Sequence, residues 1–436
     1  MPRMRRIALA LVSVAALVAT PMSSWAAPDT TPAKRAPKPK HVVLIDWDGF
    51  DPDYLGEVRM PNLEALAARG SLSIARGTYK TISNPSRAST STGAYPEVHQ
   101  NVAYVYDPAT NRVQGQSRFL AAETIAERLA AEGKTVASVQ WYMVQNHGVV
   151  YGDPEHLYVQ PGGPCSARVD AAIDILNLRP VDSDGTPVTV PKIPDLLAVY
   201  CSDIDELGHN EGPNSPNLPA VLEEMDRQLG RLIEATKDVG IFGQTAFILT
   251  SDHGMTAWSK TLQPQVLEAI RELGYQPEIV HSGNSPQPET DVIIVPFVRV
   301  GTVALRGDAA TDEAREAIAQ AVEALPEVER VLRPDDLRAL HASDREGDLV
   351  IEARPPWAFT EADLEPGMER GSHASLAEIE VPLLVAGSGF CRKVRPREPE
   401  LIDIAPTIAE LLGTDPPANA QGRVLSEVLG PPSCRH

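Results

Sequence analysis

Five short apolar runs set the terms for any fold this chain can adopt. They are His41-Val-Val-Leu-Ile-Asp46, Thr135-Val-Ala-Ser-Val139, Leu196-Leu-Ala-Val-Tyr200, Thr245-Ala-Phe-Ile-Leu-Thr250 and Val381-Pro-Leu-Leu-Val-Ala386. Runs this short, apolar throughout and bounded by acids or turn residues, suit strands covered on both faces, as in a parallel sheet. Helical patterns lie between them. Residues 121–132 carry apolar side chains at helical spacing and stop at Gly133. Residues 218–235 place Val221, Leu222, Met225, Leu229, Leu232 and Ile233 on one stripe, with charges opposite. A last helix is expected near Ile404–Leu412. Strands alternating with helices predict an α/β fold, a central mostly parallel sheet flanked by helices.

The stretch 257–369 breaks this rhythm. It offers a helix near 264–273, the extended segment Asp291-Val-Ile-Ile-Val295, a helix over 311–325, then Val328-Glu-Arg-Val331 and Asp348-Leu-Val-Ile-Glu352. It reads as a small inserted α+β cap, with the core formed by 41–256 and 370–436.

The N-terminus reads as a secretory signal over residues 1–26. Arg3, Arg5 and Arg6 precede an apolar run over 7–18, and Ser24-Trp25-Ala26 supplies a cleavage site. The run is too short for a spanning helix, which wants roughly 20 apolar residues. Residues 27–40, rich in Pro, Lys, Thr and Ala, read as a flexible leader. A secreted or periplasmic protein without a membrane span is therefore expected. Export also makes disulfides of the four cysteines, Cys165, Cys201, Cys391 and Cys434. Four cysteines allow three pairings, and proximity favours Cys165–Cys201 and Cys391–Cys434. No pair has C-x-x-C spacing, which disfavours a thiolate metal site. The net charge is −20, more negative still without the signal. That disfavours nucleic-acid binding through a bulk basic surface, though not a small anionic substrate held by local cations.

The acids and histidines fall in a pattern. Asp48, followed by Gly49, lies just past the first run. Asp205 and His209 follow the third in Asp205-Glu-Leu-Gly-His209. Asp252 and His253 follow the fourth in Ser251-Asp-His-Gly254, and His373 stands in Gly371-Ser-His373 after the presumed cap. Open α/β sheets bind ligands beyond the carboxyl ends of their strands, so the first three groups should converge. An Asp-Gly pair alone is ordinarily a turn, and a lone histidine is weak evidence. Three Asp with three His make an O/N ligand set that suits zinc best, and manganese or magnesium less well. A polar stretch, Thr81-Ile-Ser83-Asn-Pro-Ser86-Arg87, has the residues of a helix N-terminus. A serine there sits in a positive field that favours an alkoxide and binds anions.

Taken in order, Asp48-Gly49, Ser83-Asn-Pro85, Asp205…His209, Ser251-Asp-His-Gly254 and Gly371-Ser-His373 resemble the alkaline phosphatase superfamily, in its type I phosphodiesterase/nucleotide pyrophosphatase branch. Met60-Pro-Asn-Leu-Glu-Ala-Leu66, Thr92-Gly-Ala-Tyr-Pro-Glu-Val-His99 and Asp403-Ile-Ala-Pro-Thr-Ile-Ala-Glu-Leu-Leu-Gly413 add to the likeness, which is weakest in the cap. The resemblance implies an alkaline-phosphatase-like sandwich and a two-metal site. One metal would be held by Asp48, Asp252, His253 and the Ser83 oxygen, the other by Asp205, His209 and His373. Ser83 would attack phosphorus and form a phospho-serine. Ser86 and Arg87 are expected on substrate phosphate, and an arginine there would favour a dianionic monoester. The branch usually has Thr at the nucleophile and Asn where Ser86 stands, so diester, anhydride and monoester substrates, nucleotides among them, all stay open. Trp141, Tyr142 and Tyr151 are candidates to stack on a leaving group, or else plain core and rim residues.

The rival reading is a sulfatase, since Ser83-Asn-Pro-Ser-Arg87 also fits the pattern in which a serine becomes formylglycine. Sulfatases resemble a one-calcium site with two adjacent acids, whereas here Trp47 separates Asp46 from Asp48. The extra histidines also suit a second transition metal.

Overall fold

A computed structural model describes residues 38–430 and Cys434. The expected signal, 1–26, and the leader as far as residue 37 lie outside the described residues.

Seven strands form the main sheet, in the order Gly70–Arg76, Glu380–Gly387, Thr245–Thr250, His41–Trp47, Leu196–Cys201, Val136–Val139 and His156–Val159. Neighbours are parallel except that Glu380–Gly387 runs antiparallel to both strands beside it. All five apolar runs are in this sheet. Leu196–Cys201 and Thr245–Thr250 are buried at every position, because helices cover both faces. Alternation along each strand splits the core in two. Val43, Ile45, Val199 and Phe247 pack with Leu222, Met225 and Leu229 of the helix Leu218–Asp238. Val42, Leu44, Ala198 and Ile248 pack with Ile125, Leu129, Ile404 and Ile408 on the other side. The architecture is the expected α/β sandwich.

A second sheet has the order Pro277–Ile279, Val292–Phe297, Val300–Leu305, Leu349–Ala353, Val328–Leu332. The helices Gln263–Glu272 and Asp312–Glu323 cover it through Val266, Ile270, Ile318 and Val322. The chain enters and leaves this layer side by side, because Thr256–Trp258 pairs antiparallel with Arg370–Ser372. Both favoured disulfides are present, Cys165–Cys201 and Cys391–Cys434. The first ties the end of a central strand to the helix Cys165–Leu176.

The second sheet carries a buried acid. Glu352 is 1% exposed. It accepts the Leu376 amide at 2.9 Å and meets Arg330 at 3.1 Å. Burial dominates and lifts its pKa to about 7. The folded chain therefore holds this proton more tightly than the unfolded chain does. The associated stability is complete below about pH 4.5 and is lost as pH rises to 7. Glu352→Gln, which stays neutral, is expected to gain on wild type across that window, by about 3 kcal/mol at pH 8. Urea unfolding of both proteins at pH 5 and 8 checks this, and a pH-independent difference would contradict it.

Candidate metal centre

Three neighbouring strands deliver the first candidate ligands. In their register Asp46 lies level with Tyr200 on one side and Thr250 on the other. Their carboxyl ends therefore finish together, placing Asp48, Asp205 and Asp252–His253 at one edge. Gly49 is required there. Its φ is +70°, and a Cβ would lie 3.0 Å from the Asp205 Cα and Cβ. The helix Asp203–Glu211 puts Asp205 and His209 on one face, four residues apart. His373 follows the strand Arg370–Ser372. Ser83 is the first residue of the helix Ser83–Thr92, at its positive end.

All seven expected ligands meet at this edge. His253 Nε2 lies 3.1 Å from Asp252 Oδ2, 3.5 Å from Asp48 Oδ1 and 3.2 Å from Ser83 Oγ. His209 Nε2 is 3.3 Å and His373 Nε2 is 3.8 Å from Asp205 Oδ1. The His253 and His373 rings stack at 3.5 Å, and His209 stands 5.2 Å from His373 at the more exposed rim. Two groups have ligand atoms within 4.8 Å of one another: Asp48, Asp252 and His253, and Asp205, His253 and His373.

These residues fit metal ions on two grounds. Asp48 Oδ1 and Asp205 Oδ1 are buried without a hydrogen-bond partner, and Asp252 Oδ2 has only its charged contacts with Arg87 and His253. An acceptor left so is costly unless a cation meets it. Each imidazole also has its Nδ1 on a backbone carbonyl: His253 on Gly254 at 3.0 Å, His209 on Gly371 at 3.1 Å, His373 on Thr81 at 2.7 Å. A carbonyl only accepts, so each Nδ1 carries a proton, and each Nε2, once neutral, turns its lone pair to the carboxylates. That tautomer is the one a metal needs. Burial pushes Asp48 and Asp205 above the usual carboxylate range. Burial acts on Asp252 in the same sense, but Arg87 and His253 hold it below that range. Burial would lower His253, yet Asp252, with Asp48 and Asp205 behind it, lifts it to about 10. A metal must displace that proton, so binding weakens as pH falls.

Arg87 departs from expectation. It is fully buried and faces protein rather than substrate. Its Nε donates to Asp46 at 2.6 Å, Nη2 lies 3.0 Å from Asp48, and Nη1 lies 3.0 Å from Asp252 and donates to Tyr142 Oη at 2.7 Å. A guanidinium so engaged has no fork left for phosphate. It is the counter-ion beneath the candidate ligand carboxylates. Ser86, one turn after Ser83, is also fully buried, and its hydroxyl has no partner. Trp141 and Tyr142 belong to the same substructure, with Trp141 Nε1 donating to Asp46 at 3.1 Å. Neither is a free stacking surface, while Tyr151 packs edge-on against Tyr158.

Sequence reading missed the residues that hold the ligands. Tyr200 Oη donates to Asp48 at 2.7 Å. Asp46 shares the Asp48 side of its strand and anchors Arg87. The only signal for it was the i, i+2 spacing of two acids at one strand end. Thr81 orients His373 through its main chain, which no side-chain pattern reveals.

A family model described as type I phosphodiesterase/nucleotide pyrophosphatase matches residues 42–376. An uncharacterised pyrophosphatase/phosphodiesterase of Schizosaccharomyces pombe is 30% identical over 233 residues, covering 50% of this chain and 45% of that protein. The bis(5′-adenosyl)-triphosphatase of Xenopus laevis is 29% identical over 228 residues, covering 50% and 48%. The matches thus span about half the length of these curated relatives. Among solved structures, murine ectonucleotide pyrophosphatase/phosphodiesterase 5 in complex with AMP superposes with a TM-score of 0.67 at 21% identity, over 86% of this chain and 95% of that one. That likeness is one of fold.

Proposed function

Because this chain belongs to the type I phosphodiesterase/nucleotide pyrophosphatase family, we propose that it is a metal-dependent hydrolase of phosphodiesters or phosphoanhydrides, with Ser83 as nucleophile. The observation that carries this is the set of unpartnered carboxylate oxygens and aligned Nε2 atoms around the Ser83 hydroxyl. Asp48, Asp252, His253 and Ser83 would hold one divalent ion, Asp205, His209 and His373 the other, and zinc suits the donors. When bound, the ions supply positive charge that lowers the Ser83 pKa and stabilises the oxygens on phosphorus.

The chain's own part is placement. The helix N-terminus under Ser83 adds a positive field where the phosphoryl group arrives. Ser83 Oγ forms a bond to phosphorus as the leaving oxygen departs with its bonding pair. Water then cleaves the phospho-serine and restores the hydroxyl. Ser86 is as buried as Arg87, and its hydroxyl is assigned no direct contact with substrate. With Arg87 withdrawn, the case for a dianionic monoester lapses. A bis(5′-adenosyl)-triphosphatase among the relatives and a neighbour in complex with AMP favour a nucleotide substrate. We assign the reaction to the core, 41–256 with 370–436, and substrate choice to the cap, 257–369. Export is proposed from the signal-like segment 1–26, and two disulfides suit an oxidising compartment. Among the described residues no helix is long and apolar enough to cross a membrane.

The test is turnover of purified protein on p-nitrophenyl phosphate, bis-p-nitrophenyl phosphate and p-nitrophenyl sulfate, with metal content measured in parallel. We expect about two zinc ions per chain, preference for the diester, and loss of turnover in chelator that zinc restores. Chelator-resistant turnover would refute the metal centre. Dominant sulfate hydrolysis, with a mass deficit of about two hydrogens at Ser83, would make the protein a sulfatase.

A further inference from the structure

A fully buried lysine lies three residues before Ser83. Lys80 is 0% exposed, and its ammonium has three acceptors for its three N–H groups. These are Ala103 O at 2.9 Å, Thr302 Oγ1 at 3.0 Å and Glu346 Oε2 at 2.8 Å. Thr302 is on the second sheet, and Glu346 is on the loop leading to its strand Leu349–Ala353. Glu346 is itself 1% exposed. Burying such a pair costs several kcal/mol of desolvation per ion, and apolar residues of like volume often pack as well. Bulk stability is therefore a poor reason for it.

Tyr79 and Ile82 are fastened to the same layer, and Thr81 to the segment that carries His373. Tyr79 and Ile82 are buried with Val300, Leu332 and Val350. Thr81 Oγ1 donates to Ser375 O at 2.9 Å and accepts from the Ala374 amide at 2.9 Å. Its carbonyl accepts a hydrogen bond from His373 Nδ1–H. Every residue from 79 to 82 is thus anchored outside the main sheet, and Ser83 is the next residue in the chain.

We propose that Lys80 is a positioning residue: its ammonium, clamped by Ala103, Thr302 and Glu346, fixes the segment that sets Ser83 against the metal-ligating imidazoles. The second sheet is then part of the reaction's scaffold as well as a cover over it. This rests on the assignment of Ser83 as nucleophile.

Lys80→Met alone strands the Glu346 charge, so the informative variant is Lys80→Met with Glu346→Gln, which removes both charges and keeps both shapes. We expect native circular dichroism, wild-type zinc content and a KM for bis-p-nitrophenyl phosphate within about twofold, with kcat lower by roughly 10–100-fold. Amide deuterium exchange should quicken in the peptide 78–84 and not elsewhere. Thr302→Val removes one acceptor and no charge, and should give a smaller fall in kcat, about 2–5-fold, with the same local exchange. It answers the question if the double variant does not fold. Wild-type kcat with unchanged exchange at 78–84 in a folded variant would overturn the proposal. So would a kcat that falls only with the folded fraction while exchange rises across the whole second sheet. If the wild-type protein cleaves none of the esters, the assigned function fails, and exchange at 78–84 still decides whether Lys80 is a clamp.

Discussion

Ser83→Ala is expected to lower turnover of the diester by roughly 10³-fold or more, because removing a nucleophile removes the covalent path and leaves only binding and electrostatics. The fold should not change. Ser83 opens a helix whose remaining residues are held by their own burial, and its hydroxyl has one protein partner, His253. Zinc content should fall little, since three further ligands remain on that side. The decisive measurement is an acid quench of wild type and variant during turnover of a phosphorus-labelled substrate. Wild type should retain label on the peptide containing Ser83, and the variant should retain none. A labelled variant would move the nucleophile, with Ser86 first in line, since the Thr81 hydroxyl is already committed to Ser375 and Ala374.

Arg87→Met should have the largest effect on stability. Among the described residues Arg87 is the one permanent cation placed among Asp46, Asp48 and Asp252, all at most 3% exposed. Breaking a buried pair by removing one partner typically costs about 3–5 kcal/mol, because the other charge stays buried and unpaired. Three carboxylates put this variant at the upper end of that range in chelator. Zinc should recover part of the loss, since it can neutralise Asp48 and Asp252. Asp46 belongs to neither ligand group and should remain uncompensated. Urea unfolding of both proteins, with chelator and with zinc, gives the four numbers needed. Equal stability in chelator would show that Arg87 is not the counter-ion. A raised KM at unchanged stability would return it to substrate phosphate.

How far the sequence could be read follows from how locally each feature is encoded. A strand buried on both faces must be apolar at every position, so the central strands were legible as runs. Edge strands need not be, and Gly70–Arg76 and His156–Val159 carried no such mark. Val300–Leu305 is central in its sheet yet escaped notice because Gly301 interrupts it. A Cβ there would lie 2.7 Å from the Phe359 ring, so the packing that makes the strand central removes its signature. The ligands were legible because strand ends are adjacent to strands in sequence. Arg87 was not. An arginine bound to phosphate and one bound to carboxylates look alike until Asp46, Asp48, Asp252 and Tyr142 are brought together. The helix Ser83–Thr92 compounded this, since its serines and threonines suggest a surface while Asn84–Thr92 are all buried.

The three imidazoles share a support that carries a further consequence. Each is oriented by a main-chain carbonyl, at Gly254, Gly371 and Thr81. A carbonyl survives every substitution at its own position, so no single point mutation can delete the group that sets these tautomers. Only a change in backbone path can do that. The centre is thereby insulated from drift in the side chains around it. Side chains over the centre, other than those that clamp Lys80, can be remodelled by selection or by design while these tautomers are left intact.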